Sequence, residues 1–125
     1  MYNLGVRREF RAKHYLIGGD WGEENVVHSH NYQLEIVLEK AQLDRHGFLV
    51  DIVEVERHLD EVIEMFAGKT LNDLPAFSGL NPSIERLATI MHGLFSERFG
   101  DFDLEALKVS IWEDEIAWTS YRATL

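Results

Sequence analysis

The 125-residue chain carries 22 acidic against 12 basic side chains, a formal charge of −10, with 46% hydrophobic residues and no cysteine. That balance argues against nucleic-acid and membrane-surface partners, and the missing thiols exclude disulfides, thiolate metal ligands and a cysteine nucleophile. The length suits one domain, residues 1–125, with its own core; no stretch approaches the about 18 apolar residues of a membrane span, and residues 1–10 lack a signal-peptide apolar region, so a cytoplasmic protein is expected.

Residues Gly5 to Lys13 read as a strand with Val6, Arg8, Phe10 and Ala12 on one face, and His14 continues that parity. Ile17 to Val27, with three glycines and four polar side chains beside Trp21, predicts a loop. A second strand follows, on which His28, His30, Tyr32, Leu34, Ile36 and Leu38 share the inner face. Leu43 to Gly47 predicts a turn and Phe48 to Val50 a short extended piece. A helix is predicted from Asp51, with Ile52, Val55, Leu59, Val62, Ile63 and Phe66 at helical spacing and Gly68 near its end. Asn81-Pro82-Ser83 opens a second helix, with proline near its first position and Ile84, Leu87, Ala88, Met91, Leu94 and Phe95 as its stripe. Leu107 to Glu113 and Ile116 to Leu125 predict a closing hairpin. The order β-β-α-α-β-β predicts an α+β fold, an antiparallel sheet covered on one face by two helices.

His28-Ser29-His30 carries the clearest chemistry. Alternate strand residues face the same way, so both imidazoles project from one surface and can converge on one ion at about 2.0–2.1 Å. His14 ends another inward face and is the candidate third ligand, which gives a three-histidine set with an open fourth position. Taken alone, an H-x-H triplet is as compatible with ordinary strand histidines. His46, His58 and His92 read as structural or solvent-facing.

The run Phe10-x-Ala12-x-His14 followed by His28-x-His30-Asn31-Tyr32 resembles the 6-pyruvoyltetrahydropterin and 6-carboxytetrahydropterin synthase family. Gly47-Phe48-Leu49-Val50-Asp51, Leu71-Asn72, Asn81-Pro82-Ser83-x-Glu85, and Ile111-Trp112-Glu113 with Tyr121 resemble further family segments, in the family's order. The resemblance implies a T-fold in a homo-oligomer, usually a hexamer. It implies Zn2+ on His14, His28 and His30, with Glu113 and Ser83 contacting the pterin. A carboxylate suits the 2-amino and N3 edge of a pterin because it accepts two hydrogen bonds. Three imidazoles, however, suit several divalent ions.

The family's cysteine base, four residues before the first strand histidine, is Glu24 here, with Glu23 beside it. Its Asp-His pair, counted back from Asn72, is Ala67 and Gly68. The resemblance therefore implies a zinc-dependent lyase acting on a dihydropterin side chain, by carbon-oxygen or carbon-carbon chemistry. Relatives with a glutamate at that place resemble aldolase-like enzymes that cleave the side chain, with Glu24 or Glu23 as the catalytic base. The alternative is a zinc- and pterin-binding homologue without the standard activity. A closed, structural zinc would need a fourth protein ligand, and no cysteine exists to supply it.

Overall fold

The computed structural model describes all residues, Met1 to Leu125. Strands β1 (Tyr2–His14), β2 (His28–Lys40), β3 (Ala106–Glu113) and β4 (Ala117–Thr124) form one antiparallel sheet in the order β1-β2-β3-β4. Helices α1 (Ile52–Glu64) and α2 (Ile84–Arg98) lie between β2 and β3 in the chain and cover one face of the sheet. This is the predicted β-β-α-α-β-β order, the architecture of the T-fold.

Period-2 patterning accounts for the sheet. On β2, Tyr32, Leu34, Ile36 and Leu38 are fully buried while Asn31 and Gln33 face outward. On β1 the inward positions grow more buried along the strand and end in Phe10, Ala12 and His14. Register pairs Phe10 with Tyr32, whose rings stack at 5.3 Å, and His14 with His28. Burial of each large apolar side chain contributes about 1.5–3 kcal/mol, and a one-residue slip would turn the whole set to solvent.

Helix α1 begins one residue, and α2 two residues, later than their sequence signals suggested. Asp51 is the N-cap of α1, accepting from the Val53 N–H at 3.0 Å, and Ser83 caps α2 through the Arg86 N–H at 3.1 Å. Pro82 therefore precedes the cap instead of occupying the first helical turn, and its carbonyl stays outside the helical ladder. Leu87, Ala88, Met91 and Phe95 bury the inner face of α2, whereas Ile52 at the start of α1 is 46% exposed. Leu49 and Val50 form bends, so Phe48 to Val50 is not a strand.

His92 is buried on α2. Its Nε2 lies 2.9 Å from the Leu107 carbonyl and its Nδ1 3.3 Å from Ser96 Oγ, so it is a satisfied core histidine. His46 is exposed and His58 packs edge-on against Phe99, in line with the structural reading of all three.

Candidate active site

The three histidines meet where β1 ends and β2 begins. Their ring centroids lie 4.6, 4.7 and 4.8 Å apart in pairs, with the planes crossed at 75° to 86°. Each Nδ1 faces an oxygen acceptor: Pro82 O at 3.0 Å from His14, Val26 O at 2.7 Å from His28, and Asp114 Oδ2 at 2.7 Å from His30. A carbonyl or carboxylate oxygen can only accept, so each Nδ1 carries a proton, which leaves Nε2 as the ring atom able to ligate an ion. All three Nε2 atoms are buried without a hydrogen-bond partner. Three orphaned lone pairs converging in one place are costly in a protein interior unless a cation satisfies them. The donor set therefore fits a divalent ion.

Glu24 joins this cluster, and its ligand atom and the three ring nitrogens all lie within 4.8 Å of one another. Its Oε2 is 3.0 Å from His28 Nε2. The two atoms are close enough to meet one ion between them. A carboxylate thus stands where a fourth ligand belongs, which corrects the inference that lack of cysteine leaves only an open site. Both loop glutamates are exposed, but only Glu24 is part of the cluster, which separates it from Glu23.

The loop that delivers Glu24 is held by side-chain amides. Asn72 and Asn81 each make two hydrogen bonds with the backbone after His14: Asn72 accepts from Tyr15 N and donates to Tyr15 O, and Asn81 does the same with Ile17. They extend β1 by mimicking a strand partner. Within the loop, Asn25 accepts from Trp21 N and donates to Leu16 O and Gly19 O, and Leu16 N donates to Glu24 O at 2.8 Å. Trp21 lies over Gly19, where an added Cβ would meet the indole at 3.0 Å. A short 3-10 turn, Gly22–Asn25, then aims Glu24 at the imidazoles.

Glu113 lies at the end of β3 on the inner parity of Val109 and Ile111, as the alternation predicted. Its Oε1 is 3.5 Å from His30 Nε2. Burial pushes its carboxyl above the usual range; His30 opposes that rise, and Glu24 and Asp114 reinforce it. Burial also lowers the His14 pKa, which keeps that ring neutral as a ligand must be. The Tyr32 hydroxyl, 3.2 Å from His14 Nδ1, sits in a setting whose burial raises the phenol pKa. The Ser83 hydroxyl is engaged in capping α2, one residue beyond the carbonyl that orients His14. Ala67 and Gly68 lie in the exposed turn after α1, with Gly68 N donating to Arg11 O, and no group that transfers protons occupies those positions.

Asp114 was not singled out by the sequence, where it read as one of three consecutive acidic residues. It adopts a left-handed backbone, φ 56°, at the β3–β4 turn, and its carboxylate serves both His30 Nδ1 and the Asn31 N–H. The His30 contact holds its pKa below the usual carboxylate range. Only the β2–β3 register, with Tyr32 opposite Glu113, places it there. Asp114→Asn should weaken divalent-metal affinity by about 10–100-fold, the usual effect of removing such an outer partner. Chelator competition measures this, and an unchanged affinity would deny Asp114 the role.

The sheet, the helix pair and the imidazole–carboxylate cluster define a T-fold chain with a candidate divalent-metal centre. The chain belongs to the 6-pyruvoyl tetrahydropterin synthase family, whose model matches residues 3–124. No curated protein sequence matches it. Its fold is similar to the Caenorhabditis elegans 6-pyruvoyl tetrahydropterin synthase, with TM-score 0.85 and 19% identity over 98% of this chain and 96% of that one. The Plasmodium vivax synthase gives 0.83 and 13%, over 99% and 98%. A Plasmodium vivax variant, its catalytic glutamate replaced by alanine, gives 0.82 and 11% over the same shares.

Proposed function

We propose that this chain is a metal-dependent lyase acting on the side chain of a dihydropterin, with His14, His28 and His30 holding the ion. The observation that carries the reading is the convergence of three buried, partnerless Nε2 atoms beside one carboxylate, Glu24, and within reach of a second, Glu113. Zinc is the expected ion, and when bound it would polarise side-chain oxygens and acidify the adjacent protons.

Glu113, ionised, accepts two hydrogen bonds from the 2-amino and N3 edge of the pterin and fixes which end of the substrate meets the histidines. Glu24 takes the proton from the side chain and returns it to the product. With Ala67 and Gly68 in place of a second proton-transfer pair, one carboxylate must serve both steps, which suits aldolase-like cleavage. That the Plasmodium vivax relative has a catalytic glutamate supports a glutamate in this role. Glu23 points to no part of the cluster and is the weaker candidate, and Ser83 contributes through the placement of α2.

A second reading has its own observation. Glu24 lies close enough to His28 to complete the coordination, so the chain could bind metal and pterin without turnover. Incubating zinc-loaded protein with 7,8-dihydroneopterin and with its triphosphate separates the two, by product fluorescence and mass. Side-chain cleavage or elimination is the expected result. Pterin binding with no product from either compound would leave the second reading standing.

A homo-oligomer is also part of the proposal. The outer edges of β1 and β4 lack strand partners, and Ile116, Trp118 and Tyr121 are exposed along the β4 side. Light scattering that returned only the 14.5 kDa mass would rule it out. No helix is long and apolar enough to cross a membrane.

A further inference from the structure

We infer that the sheet face opposite the imidazoles carries a second site, for a phosphate-like anion, formed by Arg11, Lys13 and Ser29. Alternation along β1 sends Arg11 and Lys13 away from the face that holds Ala12 and His14, and register sets Ser29 directly beside Lys13. With Gly68, these residues line a groove of about 290 Å³.

Carboxylates outnumber cations 22 to 12, yet seven of the twelve arginines and lysines, Arg11 and Lys13 among them, form no ion pair. On the same strand Arg7 pairs with Glu35 at 2.6 Å, and Arg8 pairs with Glu56 at 2.7 Å and Asp60 at 2.9 Å. Arg11 and Lys13 take part in none of the chain's ion pairs. Arg11 Nη2 instead donates to Ser29 Oγ at 3.0 Å, which fixes the guanidinium and leaves its other N–H groups free.

The surroundings keep the groove open and its rim firm. Gly68 N donates to Arg11 O at 2.7 Å and Lys13 N to Lys69 O at 2.8 Å, which ties the turn after α1 to the edge of β1. Gly68 has a φ of +74°, and a Cβ there would meet nothing within 4 Å. Two carboxylates near this face have other partners: Glu9 accepts from Gln33 Nε2 at 3.3 Å, and Asp114, which also feels the Arg11 charge, holds His30. A guanidinium fork, an ammonium and a hydroxyl converging on one groove match a tetrahedral oxyanion. Ser29 is a ligand-bearing residue here, not a neutral spacer between two histidines. The site does not depend on the metal, because its side chains leave the sheet on the other face.

The test is calorimetric titration of inorganic phosphate and pyrophosphate, separately, into metal-loaded and chelator-treated protein at fixed ionic strength in chloride. Pyrophosphate should bind each chain with or without metal, and more tightly than phosphate. Arg11→Gln with Lys13→Gln should weaken it by at least roughly tenfold while metal content stays the same, since two charged donors are lost. Ser29→Gly, which removes no charge, should weaken it by a smaller factor and reads the same groove if the double variant folds poorly. The inference is overturned if the wild-type protein binds no pyrophosphate or if these variants bind it as well as the wild type does. It is equally overturned if binding vanishes with the metal, which would place the anion at the imidazoles.

Discussion

His28→Ala should strip the protein of its metal. The ring supplies one of three converging Nε2 atoms, and its Nδ1 contact with Val26 O at 2.7 Å fixes its orientation. Removing an outer partner of a ligand already costs about 10–100-fold in affinity, and loss of the ligand itself should exceed that range. The side chain is only partly buried at the mouth of the loop, so the fold should survive the change. Metal content after dialysis against a weak chelator, read with a melting curve on the same sample, decides the matter. Wild-type stoichiometry in a folded variant would refute the three-histidine set.

Glu24→Gln should lower turnover of the dihydropterin by about 10²–10⁴-fold, the usual contribution of a positioned general base. The amide keeps the shape of the side chain and still offers an oxygen, so metal should remain bound, though less tightly. Glu23→Gln is the matched control: Glu23 lies outside the cluster, and its loss should change turnover little. Full activity in the Glu24 variant would remove that residue from the mechanism, and equal loss in both variants would point to loop charge instead of proton transfer. If Glu24 is held as a fourth ligand, the Gln variant should lose metal affinity more than it loses turnover.

The parts of this site that lie on strands were legible from the sequence, because a period of two fixes which face a side chain takes. His14, His28, His30 and Glu113 each stand on an inward parity, and burial follows that parity along β1 and β2, whereas central β3 is buried on both faces. The helices were legible by the same reasoning, apart from ends set by capping. The loop parts were not. Glu24 reaches the imidazoles through glycines at positive φ and an asparagine that bonds three backbone groups, and no periodicity encodes such a path. Asn72 and Asn81 could be matched as motif letters, but their pairing with Tyr15 and Ile17 spans more than fifty residues of chain. Asp114 needed the β2–β3 register, which the alternation alone leaves free to slide by two.

The Pro82 carbonyl, left outside the ladder of α2 and accepting from His14, joins positions 68 residues apart. In a chain without cysteine, an ion held by His14, His28 and His30 therefore acts as a reversible cross-link. It fastens the end of β1 to the start of β2 directly and to the threshold of α2 through one hydrogen bond. Because the unfolded chain has no such convergence, such an ion would stabilise the native state by mass action, about 2.7 kcal/mol at a hundredfold excess over its dissociation constant. The same contacts that prepare the site for chemistry would thus make chelation a thermal liability, felt first where the strands and the second helix meet.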